Sequence, residues 1–143
     1  IDVDSFYVNV YSETPSLLET KHLNSTNKPY KVMSSLLKSN CRVTSQPDWG
    51  DVFINLEGNR YPSDKEMLKY IISFRDECHF HEEICETIFT RLNDTFKPKA
   101  LSVACLYVRR GGWDINPIRA THEHLMDEFF WDHKVPWIKT LRQ

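Results

Sequence analysis

Apolar and polar positions along this chain alternate, cluster and repeat in ways that divide it into short elements. Residues 2–11 alternate polar with apolar and are rich in Val, Phe and Tyr, the pattern of a strand. Residues 12–29 are mostly polar and interrupted by Pro15 and Pro29, so they read as a connection with room for one helical turn. Residues 30–38 place Val32, Met33, Leu36 and Leu37 at spacings that fit strand or helix, and periodicity alone does not separate the two. Val52, Ile54 and Leu56 share one face of a strand over residues 51–57, after which Gly58-Asn59 turns the chain. Ser63 and Glu66 have the spacing of a capping box, which predicts a helix carrying Leu68, Ile71, Ile72 and Arg75. A second helix from about Phe80 carries Ile84, Cys85, Ile88, Phe89, Leu92 and Phe96 at steps of three and four and stops at Pro98. Residues 101–108 are apolar at nearly every position, as in a strand buried on both faces. Arg109-Arg110-Gly111-Gly112 reads as a turn and residues 113–117 as an extended edge, while residues from 121 onward show no clear period. Strand, helix, helix, strand with short connections implies an α+β fold: an antiparallel sheet with two helices packed on one face.

Composition narrows the classes of function. A chain of 143 residues, 41% hydrophobic and 27% charged, is one globular domain of ordinary size. A net charge of −2 gives no general reason to bind nucleic acid, with Arg109-Arg110 a local exception. No apolar run approaches a membrane span and no signal-peptide pattern opens the chain, so neither membrane nor secretion is expected. The first residue is Ile1 rather than methionine, as in a fragment, a processed chain or a trimmed stretch. Cys41, Cys78, Cys85 and Cys105 lack the short spacings of a zinc knuckle or a redox dithiol. They are expected to be reduced and cytosolic, with Cys41 the only one in a loop.

The candidate chemistry centres on Cys41 and Asp48, seven residues apart around the turn-prone Gln46-Pro47. Cys41 is flanked by Lys38 and Arg42 and surrounded by polar donors, which suits a thiolate nucleophile better than a core cysteine. Asp48 stands next to Trp49, where an indole would partly desolvate the carboxyl and favour the protonated form that a general acid needs. The bland readings are a buried small hydrophobe for Cys41 and a turn aspartate for Asp48. His81 and Glu82 open the second helix. A carboxylate can accept two N–H donors from one edge of a guanine-like ring, and an imidazole can donate or relay a proton. Ordinary surface and helix-dipole roles are the alternatives. Cys78, His79, His81, Glu82 and Cys85 crowd together at spacings a metal could use, but Cys85 falls on the apolar stripe, and no metal is expected. His122, Glu123, His124, Asp127 and His133 offer only adventitious metal ligands. Arg109-Arg110-Gly111-Gly112 has the chemistry to receive a phosphate, although no Rossmann or Walker sequence is present.

Taken together, Leu36-Leu37-Lys38-Ser39-Asn40-Cys41, Gln46-Pro47-Asp48-Trp49-Gly50, Phe80-His81-Glu82, Arg109-Arg110-Gly111-Gly112 and Asp114-Ile115-Asn116-Pro117 resemble the 7-cyano-7-deazaguanine reductases, the nitrile reductases of queuosine biosynthesis. The likeness runs over residues 2–119 and is to the C-terminal half of the two-part form. It implies a tunnelling fold, shared with GTP cyclohydrolase I, with a catalytic domain over residues 1–120 and a tail over 121–143. It implies Cys41 as the thioimide-forming nucleophile, Asp48 as proton donor, His81 and Glu82 as the seat of the deazapurine, and Arg110 and Gly111 as contacts to NADPH. Also implied are a cytoplasmic setting, a small-molecule nitrile substrate, an N-terminal partner half and a homo-oligomer with sites between units, with no nucleic acid or membrane directly bound. The family's NADPH motif, Glu-Ser-Lys-Ser followed by an aromatic or leucine and Lys-Leu-Tyr, is absent from this chain; in two-part members it lies in the N-terminal half. The archaeosine-forming amidinotransferases, which also lack that motif and pass the thioimide to ammonia, are the nearest alternative. A purine-binding module without turnover is the other.

Overall fold

The computed structural model describes residues 6–19, 22–26 and 28–127. In chain order the elements are a 3-10 turn Pro15–Leu18, β1 His22–Leu23, β2 Tyr30–Asn40, β3 Pro47–Glu57, β4 Arg60–Tyr61 and α1 Asp64–Ile72. A 3-10 turn Ser73–Asp76, α2 His81–Phe96, β5 Ala100–Arg110, β6 Trp113–Ile115, β7 Ile118–Ala120 and α3 Glu123–Asp127 follow. β2, β3 and β5 lie side by side, all antiparallel, and β5 pairs along its other edge with both β6 and β7. β1 and β4 form a separate two-stranded ribbon.

Side-chain alternation assigns the two faces of the sheet. Val52, Ile54 and Leu56 of β3 stand opposite Cys105, Val103 and Leu101 of β5, and these residues form one core with Met67, Tyr70 and Ile71 of α1 and Ile84, Ile88 and Leu92 of α2. Both long helices therefore cover one face, as expected. A register slip in β2 between Ser34 and Leu37 turns the odd-numbered Leu37 and Ser39 onto that face and leaves Leu36 at the surface. β5 is buried on both faces from Ala100 to Tyr107, as its unbroken apolar run predicts. The Ser63–Glu66 capping box starts α1 in both directions. α2 ends with Lys97 in the left-handed region at φ 48°, its amide donating to the Asn93 carbonyl.

Three expectations change. Residues 6–11 form no strand: Asp76 N donates to Tyr11 O, and Lys69 lies over the Phe6 ring, so this stretch runs along α1 and the turn after it. The rest of that expected strand lies outside the described residues. β3 begins at Pro47, four residues earlier than the alternation suggests, because the polar Asp48 and small Gly50 occupy inward positions. Cys78 also lies outside helix and strand ladders, exposed beside the end of β2, so Cys41 is not alone in irregular structure. Of the expected tail, residues 123–127 form α3, which seats Leu125 against the body of the protein.

Candidate active site

The seven-residue spacing of Cys41 and Asp48 is a hairpin closure. Cys41 N donates to Gln46 O at 2.8 Å, Asn40 faces Pro47, and Ser39 faces Asp48 one pair further in. Ser39 and Cys41, two residues apart on an extended chain, share a face, and Asp48 joins them across the ladder. Ser45 closes the loop at φ 56°, its amide donating to Cys41 O. Inside this turn, the hydroxyl of Thr44 and the amides of Thr44 and Val43 hold the Cys41 thiol below its ordinary value, and the Arg110 guanidinium adds to the effect. The sulfur is partly exposed.

Asp48 corrects the sequence reading in two respects. It lies on a strand rather than a loop, and alternation sends its side chain to the face opposite that of Trp49. Trp49 instead stacks beneath Arg75, with 5.9 Å from guanidinium carbon to ring. The Asp48 carboxylate, 1% exposed, accepts from Arg110 Nε at 3.0 Å and from Arg110 Nη2 on the same oxygen, Oδ1. His81 Nε2 stands 3.3 Å from that oxygen, without hydrogen-bond alignment, and Asp48 Oδ2 is buried with no partner.

Arg110 reaches Asp48 because the β5–β6 ladder slips between Tyr107 and Arg110. Strict alternation would point it to the opposite face; the irregularity re-aims it inward. Arg109 pairs outward with Asp114, Nη2 to Oδ2 at 3.1 Å. Gly111 and Gly112 follow at φ 57° and 84°, a turn that asks for glycine, and nothing lies within 4 Å of a side chain added at either. Gln46, Pro47, Asp48, Arg109, Arg110 and Gly111 border an open hollow of about 300 Å³.

His81 is the first residue of α2, and its ring meets Tyr107 edge-on with centroids 4.3 Å apart. Glu82 follows on the exposed side of the first turn. The structure thus gathers Cys41, Asp48, His81 and Arg110 at one end of the sheet, with Gly111 on the rim and Glu82 on the neighbouring helix start.

Two residues beneath this group escaped sequence reasoning. Tyr107 belongs to an apolar run that reads as core, and burial pushes its phenol well above the ordinary value. The Ser39 hydroxyl is buried beside it and counters part of that rise. Nothing in the pattern marks a phenol that borders a site. Ser39 sits inside the motif that carries Cys41, and that proximity was the available signal. Among the described residues no group of three or more His, Cys, Asp or Glu side chains is arranged to hold a metal. No described helix is long and apolar enough to cross a membrane.

Fold and site together define an α+β protein with an activated, partly exposed thiol beside a buried carboxylate. Residues 47–125 match the family described as QueF-like protein, and the chain belongs to that family. It is 42% identical over 127 residues to the NADPH-dependent 7-cyano-7-deazaguanine reductase of Hydrogenovibrio crunogenus, covering 89% of this chain and 43% of the relative. The corresponding reductase of Coxiella burnetii is 43% identical over 122 residues, covering 85% of this chain and 42% of the relative. The chain therefore spans less than half the length of the curated relatives it matches. Among solved structures, the apo archaeosine synthase QueF-Like superposes with a TM-score of 0.58 at 16% identity, covering 68% of this chain and 95% of that one. That likeness bears on the fold alone, and it agrees with the tunnelling fold expected above.

Proposed function

We propose that this chain is the catalytic half of an NADPH-dependent oxidoreductase that converts the nitrile of 7-cyano-7-deazaguanine to an aminomethyl group. The observation that carries the reading is the Cys41 thiol, lowered by its own turn and held at the end of the hairpin whose facing strand carries the buried carboxylate of Asp48. The names and 42–43% identity of the relatives supply the substrate and reductant.

In this mechanism the Cys41 thiolate adds to the nitrile carbon, a C–S bond forms, and one π bond of the nitrile gives its electron pair to nitrogen. Asp48, a carboxylate paired with Arg110 at rest, takes the proton that Cys41 gives up and hands it to that nitrogen, leaving a covalent thioimide and the carboxylate restored. Oδ1 already faces Arg110 and His81, so Oδ2, free of partners, is the oxygen suited to carry the proton. His81 and Glu82 hold the deazapurine, the carboxylate accepting two ring N–H donors. Two NADPH molecules, bound in turn, would each supply one hydride to the former nitrile carbon; between the two reductions the C–S bond breaks, Cys41 leaves as thiolate, and solvent supplies the remaining protons. Arg110, Gly111 and the amides of the glycine turn offer it one anion-recognition corner. The 300 Å³ hollow is small for a dinucleotide, which suits a cofactor seat completed by another half of the enzyme.

The primary test mixes the full-length gene product with 7-cyano-7-deazaguanine and weighs the intact protein. A covalent adduct that disappears in Cys41→Ala is expected; no adduct, or one that survives the substitution, refutes the reading. Consumption of NADPH, rather than incorporation of ammonia, separates reductase from amidinotransferase. Residues 1–143 alone are expected to form the thioimide weakly and to leave NADPH unoxidised. An N-terminal half, supplied in cis or as a partner chain, is expected to restore both.

A further inference from the structure

The loop that carries Cys41 is tied to the start of α2 by charged groups with no part in the chemistry above. Arg42, next to the nucleophile, places Nη2 3.1 Å from Glu83 Oε2 and stacks its guanidinium 5.3 Å from the centre of the Phe80 ring. The same Glu83 oxygen accepts the Phe80 amide at 2.8 Å, the carboxylate half of a capping box, whose other half a phenylalanine N-cap cannot supply. His79 closes the figure: its Nε2 is 3.1 Å from Glu77 Oε2, and its Nδ1 is 3.3 Å from Arg42 Nη2. Nδ1 also stands 3.4 Å from Glu83 Oε2, so it donates to Glu83 when protonated and accepts from Arg42 when bare. Glu83 lies below the ordinary carboxylate value, chiefly through the Phe80 amide and then through Arg42 and His79. Below the clamp, the chain is stitched again. Asn40 N donates to Glu77 O, His79 N donates to Asn40 O, and Lys38 Nζ and Asn40 Nδ2 both donate to Arg75 O.

We propose that Arg42, Glu83 and His79 are positioning residues for Cys41, fixing the nucleophile's turn against the helix start that carries His81 and Glu82. This rests on Cys41 being the nucleophile. The thiol is favoured as thiolate by the Thr44 hydroxyl and by amides 43 and 44, all within the turn that Arg42 anchors. A turn released from α2 loses that aim. The charged group that acts on the sulfur is Arg110 from β5, itself paired with Asp48, while Arg42 points away to Glu83 and Phe80.

Glu83→Gln isolates the clamp, because the glutamine carbonyl still accepts from the Phe80 amide and keeps that bond at the start of α2. It also gives a sign that simple charge effects do not. Removing an anion near Cys41 would, by Coulomb's law alone, favour the thiolate and speed its alkylation. Loss of positioning slows it and moves the pH midpoint of alkylation upward.

The experiment uses the full-length gene product, with iodoacetamide as probe and site-resolved mass spectrometry as readout. The fully buried Cys85 and Cys105 report any unfolding by becoming reactive. In Glu83→Gln, Cys41 alkylation at pH 7 falls about fivefold, the upper range for exposed ion pairs, while Cys85 and Cys105 stay protected. Arg42→Met behaves alike and Arg42→Lys recovers part of the rate. Thioimide formation slows by a similar factor with nitrile affinity unchanged. Alkylation as fast as wild type, or faster, in Glu83→Gln overturns the proposal. Slower alkylation together with no nitrile adduct even in wild type supports the clamp and sinks the reductase reading instead.

Discussion

Replacing Arg110 by methionine keeps most of the aliphatic stem and removes the charge that faces Asp48. Stripping one partner from a fully buried ion pair costs about 3–5 kcal/mol, because the remaining charge has neither water nor counter-ion. Two features of this site reduce that figure. The Arg110 side chain is 31% exposed, and His81 Nε2 remains 3.3 Å from the same carboxylate oxygen. A loss of about 2–3 kcal/mol is therefore expected, read from the urea midpoint at unchanged slope. Asp48→Asn in the Arg110→Met background should recover about 1 kcal/mol or more, since the stranded charge is then gone. If Arg110→Met stays within about 0.5 kcal/mol of wild type, the pair contributes no net stability, and the argument from Asp48 burial is wrong.

Tyr107→Phe removes a fully buried hydroxyl whose neighbour is the Ser39 hydroxyl, so stability is expected to change by no more than about 1 kcal/mol in a thermal melt. Ser63→Ala removes the hydroxyl that accepts the Glu66 amide while leaving the Ser63 amide bonded to Glu66 Oε2, and should cost about 1 kcal/mol, measured by chemical denaturation. Gly50→Ala places a methyl 3.0 Å from the Tyr107 ring and 3.2 Å from the Leu106 carbonyl, so a destabilisation of about 1–3 kcal/mol is expected, with slower nitrile addition as the ring tilts. For Cys41 the folded thiol lies below its unfolded value, so the thiolate's contacts favour the folded state above the ordinary cysteine range and are lost as pH falls through the lowered value. Its alkylation midpoint should therefore lie below about 8.5, and a midpoint at or above that contradicts the geometry of the turn.

Most of the architecture was legible because it rests on local rules. The apolar stripe of α2, the capping box of α1 and the unbroken run of β5 each specify their element without outside help. Residues 6–11 misled because alternation describes a half-buried extended chain, and such a chain can lie along a helix as well as in a ladder. At the site, Cys41 and Asp48 were visible as reactive residue types, and the hairpin explains their spacing. The company that Asp48 keeps was not visible. Arg110 arrives from 62 residues away through a slipped register, and Tyr107 through a position that periodicity assigns to the core. Contacts made by irregularities in a ladder leave no periodic trace.

The parallel stitch between Asn40 and residues 77–79 gives the site a cooperative boundary. Asn40 and His79 amides donate across it, while the Cys41 amide closes the adjoining hairpin onto Gln46. Solvent hydrogen reaches the first two only when the connection between α1 and α2 lifts away from β2. Opening there frees the backbone next to the nucleophile and the approach to the His81 helix start in a single fluctuation. The hydrogen-exchange rates of these amides should therefore move together, making the nucleophile's strand end and the α1–α2 connection one unit of local unfolding rather than two.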